Sequence, residues 1–168
     1  MKENNSLTAE LENFVAAVSG ELLKKNYTIA TAESCTGGLV AKSLTDQPGI
    51  SQIFSYGLVT YSNEAKMKLL KVKQETLATV GAVSKETARE MAAGLKELSG
   101  ADFALGITGI AGPDGGSQDK PVGLVYIGLE FPGGNAVGKY IFKGDRDAVR
   151  KQTTEAALSM VADVLRKL

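Results

Sequence analysis

The chain of 168 residues carries 43% hydrophobic and 23% charged side chains, with 19 Lys+Arg set against 19 Asp+Glu. That length suits one domain with a full core and is short for two, and the balanced charge offers no general attraction to nucleic acid or an anionic membrane surface. Histidine is absent and Cys35 is the single cysteine, which excludes Ser-His-Asp and Cys-His catalysis, an internal disulfide and most zinc sites.

Leu7, Leu11, Phe14, Val15, Val18 and Leu22 recur at helical spacing, so the stretch to about Lys25 is expected to form an amphipathic helix against a sheet. Its start, Met1 to Ser6, lacks the apolar stretch of a secretory signal, and no run approaches the roughly 20 apolar residues of a membrane span. A cytoplasmic protein is expected. Tyr27 to Ala32 reads as a strand, Gly38 to Leu44 as a helix stopped by Asp46-Gln-Pro-Gly49, and Phe54 to Tyr61 as a second strand.

Ser62 or Asn63 can cap a helix running to Leu70, and Ser84 can cap another with Ala88, Met91, Ala92, Leu95 and Leu98 as its buried stripe. Asp102 to Thr108 is a near-continuous apolar run, as expected of a strand covered on both faces. Beyond it lies the glycine-rich loop Gly109 to Ser117. Pro121 to Glu130 and Ala136 to Phe142 read as a hairpin turning at Pro132-Gly-Gly-Asn135. Asp145 can cap the last helix, with Val149, Thr153, Ala156, Ala157, Met160, Val161, Val164 and Leu168 at helical period. The expected fold is α/β: one three-layer α/β/α domain over residues 1–168, with a mixed, mostly parallel sheet of about five or six strands.

Four polar clusters fall at or just beyond predicted strand ends, where open α/β sheets bind ligands. In Glu33-Ser-Cys-Thr-Gly-Gly38, a turn before a helix exposes the Ser34 hydroxyl beside free backbone N–H groups. The pattern alone favours a helix-capping serine over a nucleophile, and Thr36 shares that ambiguity. Glu33 reads as an acid of the site or, more simply, as a charge near a helix N-terminus. Without histidine, a reactive serine needs another base, and lysine leads. Lys66 sits in the first turns of a helix, four residues before Leu70 on the same face. An ordinary solvated lysine is the simpler reading; facing inward, its amine would be desolvated and neutral.

Tyr61 and Thr108 stand at strand ends, where their hydroxyls can orient a base or an amide or merely pack. The glycine-rich loop fails the P-loop spacing, yet Gly109 and Gly112 allow backbone amides to close on an anion; a flexible hairpin or lid is the alternative. Arg146 and Arg150 share a face at the start of the last helix, where positive charge opposes the dipole unless an anion binds or the face is simply solvated. Cys35 reads as a small core residue, and no metal is expected.

Five stretches in order, Ala32-Glu-Ser-Cys-Thr-Gly-Gly38, Val59-Thr-Tyr-Ser-Asn-Glu-Ala-Lys66, Gly106-Ile-Thr-Gly-Ile-Ala-Gly-Pro-Asp-Gly-Gly116, Lys120-Pro-Val-Gly123 and Gly144-Asp-Arg146, closely resemble the CinA (competence/damage-inducible protein) C-terminal domain family. The family includes stand-alone nicotinamide mononucleotide deamidases (PncC), and the resemblance covers about Glu10 to Leu168. It implies a hydrolase that converts nicotinamide mononucleotide to nicotinic acid mononucleotide and ammonia, in pyridine-nucleotide salvage. The family's serine and lysine fall on Ser34 and Lys66, its tyrosine on Tyr61 and its threonine on Thr108, which reverses the bland readings of the first two.

The implied substrate contacts are Glu33, Thr36, Gly37, Gly38, Gly109, Gly112, Arg146 and Arg150, with Arg146 the better candidate for the 5′-phosphate. The resemblance further implies a three-layer α/β unit that is homo-oligomeric, dimer or larger, without cofactor, nucleic acid or membrane partner. It also implies that full CinA proteins carry an additional N-terminal domain beyond what this chain spans. Two other readings stay open: a catalytically weak nucleotide-binding or regulatory module, and an amidase for another carboxamide or lactam.

Overall fold

In the computed structural model, which describes residues 3–168 and their side chains from residue 9 onward, the chain alternates helix and strand and then closes with a hairpin and a helix. Helix α1 (Glu3–Lys25) leads to β1 (Ile29–Glu33), α2 (Leu39–Thr45), a 3-10 turn (Ile50–Gln52) and β2 (Phe54–Val59). Helices α3 (Asn63–Leu70), α4 (Gln74–Thr79) and α5 (Lys85–Ser99) follow, then β3 (Phe103–Gly109), β4 (Leu124–Phe131), β5 (Gly134–Ile141) and α6 (Arg146–Leu165). Leu7, expected in the α1 stripe, lies outside the residues whose side chains are described.

The five strands form one mixed sheet in the order β2-β1-β3-β4-β5. β1 runs parallel to β2 and β3, while β3–β4 and β4–β5 are antiparallel, so all strands but β4 point the same way. The connection from β1 leads outward to β2 and the next one returns to the other side of β1. The switch of direction therefore lies at the carboxyl end of β1 and β3, where such sheets bind ligands.

Period-two alternation divides the core. Phe103, Leu105 and Ile107 of β3 join Val15, Val18 and Leu22 of α1, Val40 and Leu44 of α2, and Val149, Leu158 and Val161 of α6. Each such fully buried side chain contributes about 1.5–3 kcal/mol, which makes this face the main store of stability. On the opposite face Ala30, Ala32 and Ala104 meet Leu70 of α3 and Met91 and Leu95 of α5.

Small residues there let α5 lie almost on the backbone of the sheet. A Cβ at Gly106 would fall 2.5 Å from Ala92 N, and one at Gly128 would fall 2.3 Å from Ala88 O. Likewise a Cβ at Gly94 would sit 1.8 Å from Leu70 O, so the end of α3 is seated on α5 through that glycine. This contact fixes the helix that carries Lys66.

Several sequence expectations are corrected in detail. Leu98 is 46% exposed, because α5 ends at the left-handed cap of Gly100 beyond its covered stretch. The buried face of α6 takes in Thr154, Leu158 and Leu165, leaving Ala156, Met160 and Val164 half-buried and Leu168, past the helix end, exposed. Helix α4 buries no side chain and so has no apolar stripe to read. β2 stops at Val59, short of Tyr61, which releases the next two carbonyls from the ladder. No helix among the described residues is long and apolar enough to cross a membrane.

Candidate active site

β1 delivers Ser34 to the switch point, and its N–H donates to Ile107 O at 3.0 Å, tying the turn to the neighbouring strand. The serine does not cap α2: Gly38 is the N-cap residue, in left-handed conformation, and has no capping side chain of its own. Instead the buried Glu33 carboxylate accepts from the N–H groups of Gly38 at 3.0 Å, Val40 at 3.1 Å and Ala41 at 2.8 Å. Those donors have no helical acceptor, and a negative charge also complements the dipole there. Glu33 thus caps the helix and, expected as a substrate contact, does not line the cavity beside Ser34.

Ser62 caps α3, its oxygen accepting from Ala65 N at 3.0 Å. One turn later Lys66 points inward and is 1% exposed, among the largest fully buried side chains of the described residues. Its Nζ lies 3.1 Å from Ser34 Oγ and donates to the carbonyls of Thr60 at 2.8 Å and Tyr61 at 3.3 Å. No carboxylate pairs with it among the described residues. Burial lowers its pKa from the ordinary lysine value. Three oxygens surround Nζ, two carbonyls that accept from it and the Ser34 hydroxyl, which can also donate to the lone pair of a neutral amine.

Beside this pair lies a cavity of about 290 Å³ lined by Ser34, Cys35, Tyr61, Lys66, Thr108, Gly109, Gly112, Asp114 and Arg146, among others. A groove of about 340 Å³ between α1 and α6 holds no such nucleophile–base pair. Burial pushes the Cys35 thiol up to about 12, so it stays protonated and inert. Thr108 is buried and its hydroxyl donates to Ala82 O at 2.8 Å, leaving the oxygen only its lone pairs for the cavity. Its partner is therefore a backbone carbonyl and not Lys66.

Tyr61 is 59% exposed, and its phenol oxygen accepts from Arg146 Nη2 at 3.0 Å. Its backbone carbonyl, not its hydroxyl, orients the base. Arg146 also donates to Gly112 O at 2.8 Å, which holds its guanidinium at the cavity rim.

Arg150 does something else. Its Nε and Nη2 fork onto Thr36 O at 3.0 and 2.7 Å, so it clamps the turn after Ser34 and stays out of the cavity wall. Thr36 is fully buried, with its own hydroxyl unpartnered among the described residues. Gly37 and Gly38 take positive φ to shape this turn, and their N–H groups are spent on Ser34 O and Glu33. Thr36, Gly37, Gly38 and Arg150, expected as substrate contacts, are thus tied into an internal clamp and do not line the cavity.

Gly109 and Gly112 do line the cavity. The N–H groups of Cys35, Ala111 and Gly112, all on its wall, have no protein acceptor among the described residues and are free for an oxyanion. Ala82 and Val83, wall residues from the loop before α5, carry no sequence signal, and Asp114 lies within a motif whose glycines dominate it. Among the described residues no three His, Cys, Asp or Glu side chains converge as a metal site would require.

Residues 11–165 match the family model described as the CinA C-terminal domain. The chain is 52% identical over 151 residues to a competence-damage inducible protein of Alkaliphilus metalliredigens, covering 90% of this chain and 37% of that relative. It is likewise 52% identical over 159 residues to one of Acetivibrio thermocellus, covering 95% and 38%. The chain therefore spans about two fifths of the length of the curated relatives it matches. Among solved structures it is similar to a CinA superfamily protein of Klebsiella pneumoniae, with TM-score 0.90 and 36% identity over 94% of this chain and 99% of that one. It is also similar to competence/damage inducible protein CihA of Agrobacterium tumefaciens, with TM-score 0.89 and 40% identity over 93% and 95%.

Proposed function

This chain belongs to the CinA C-terminal domain family, and on that footing we propose that it is an amidase hydrolysing nicotinamide mononucleotide to nicotinic acid mononucleotide and ammonia. The observation that carries the reading is the buried, unpaired Lys66 amine 3.1 Å from Ser34 Oγ at the edge of a nucleotide-sized cavity. A lysine costs stability when buried alone, and the cost is repaid here by a base that works without histidine.

Lys66 takes the hydroxyl proton as Ser34 Oγ bonds to the carboxamide carbon, and the oxyanion is met by the free N–H groups of Cys35, Ala111 and Gly112. Collapse breaks the C–N bond, the Lys66 ammonium protonates the leaving nitrogen, and ammonia departs from a Ser34 ester. Water then attacks the ester carbon while giving its proton to Lys66. Breaking the C–Oγ bond returns that proton to Ser34 and releases the carboxylate. Thr108 Oγ1, its hydrogen committed to Ala82, can only accept, so it favours the amide NH2 of the substrate over the carboxylate of the product. Arg146 is the cation best placed for the phosphate.

Ammonia release from nicotinamide mononucleotide tests this directly. Ser34→Ala is expected to lower it by about 10⁴-fold and Lys66→Met by about 10²–10⁴-fold. Because only the neutral amine accepts a proton, kcat/KM should rise with pH through a lysine pKa below the ordinary value and then level. Thermal stabilisation by the nucleotide without ammonia release would instead mark a binding or regulatory module.

A further inference from the structure

We propose that Asp114 makes the cavity selective for a ligand whose ring carries a positive charge, an N-substituted pyridinium carboxamide, over a neutral amide of the same shape. The inference rests on the amidase reading above and names what that site recognises.

The cavity holds two groups of opposite formal charge that do not neutralise each other. Arg146 is committed to Gly112 O and the Tyr61 hydroxyl, and among the described residues it forms no ion pair. Asp114, on the glycine-rich loop, is exposed and makes no hydrogen bond or ion pair of its own among the described residues, yet it lines the same wall. A concave site with a fixed cation and an unspent anion is complementary to a ligand carrying both signs. Such a ligand has an anionic phosphate for Arg146 and a cationic ring for Asp114.

The third ionisable group fits the same pattern. Lys66 has two carbonyls and a hydroxyl around its Nζ and no carboxylate, a setting that suits an uncharged amine. An ammonium there would repel a cationic ring, whereas an amine admits it. Once seated, the ring's charge would in turn disfavour protonation of the base. A quaternised ring also withdraws electrons from its carboxamide carbon, so selecting the cation selects the more electrophilic amide.

The test compares nicotinamide mononucleotide with its 1,4-dihydro form, which keeps the amide, ribose and phosphate but has no ring charge. Both are titrated calorimetrically into the Ser34→Ala protein, which binds without turnover, with Asp114 intact or changed to Asn or Glu. The expected result is a preference of about fivefold or more for the cation, lost in Asp114→Asn through weaker binding of the cation alone, and kept in Asp114→Glu. Equal weakening of both ligands by Asp114→Asn would assign the carboxylate to the ribose hydroxyls and overturn the proposal, as would no change in either. Ammonia release by the wild-type protein is read separately. Its absence with the charge preference intact defeats the amidase reading while supporting the recognition.

Discussion

In the turn from β1 to α2 most polar groups are spent inside the protein, whereas the loop from β3 to β4 leaves several of its own unpartnered at the cavity wall. Glu33 takes three N–H groups of α2, Gly37 closes on Ser34 O, and Arg150 forks onto Thr36 O. Across the cavity the N–H groups of Ala111 and Gly112 and the carboxylate of Asp114 find no protein partner among the described residues. One wall is tied together by internal hydrogen bonds around Ser34; the other carries polar groups without a protein partner among the described residues. Arg146 and Arg150, one helical turn apart, belong to opposite sides of this division.

Exchanging the arginines separates the two walls most sharply. Arg150→Met should lower kcat by about 10–100-fold with little change in KM, because the turn that aims Ser34 loses its clamp. Arg146→Met should raise KM by about tenfold or more and spare kcat. Steady-state kinetics with nicotinamide mononucleotide distinguishes them, and a KM effect from Arg150→Met would mean that it touches substrate after all.

Glu33→Gln should act on stability. An amide cannot accept from all three N–H groups, and the lost bonds cost about 2 kcal/mol, or a fall in Tm of about 4–8 °C for a protein of this size. An unchanged melting temperature would remove the cap from the account.

The smallest effect expected runs the other way. Lys66→Met should raise Tm by about 2–4 °C, since it removes a buried amine and keeps the packing. The folded state lowers the lysine pKa, so between that value and 10.5 the unfolded chain binds more protons and the wild type gains stability as pH rises. The advantage of Lys66→Met is therefore full below the lowered lysine pKa and shrinks as pH rises from there toward 10.5. A constant or growing difference in melting scans would contradict this.

What could be read in the letters follows the same division. Strands and helices came from period and capping: Ser62, Ser84 and Asp145 all cap the helices they precede. Ser34, Lys66 and the rim arginine are legible only through motifs, because solvated and buried lysines look alike until Leu70 is seen seated on Gly94. The clamp from Arg150 to Thr36 carries no sequence signal because the two lie 114 residues apart, and only the packing of α6 beside the turn brings them together. Glu33 was nearer to legible, as the N–H groups that donate to it begin five residues on. Asp114 carries no local signal of its own and gains meaning only from what shares its cavity.

The central claim is that Ser34 becomes esterified during turnover with Lys66 as its base. Quenching the protein in acid during hydrolysis of nicotinamide mononucleotide and mapping its peptides by mass spectrometry tests this most directly. A nicotinoyl mononucleotide ester on the peptide bearing Ser34, absent from Ser34→Ala, is the expected result. Undiminished turnover by Ser34→Ala would contradict the account.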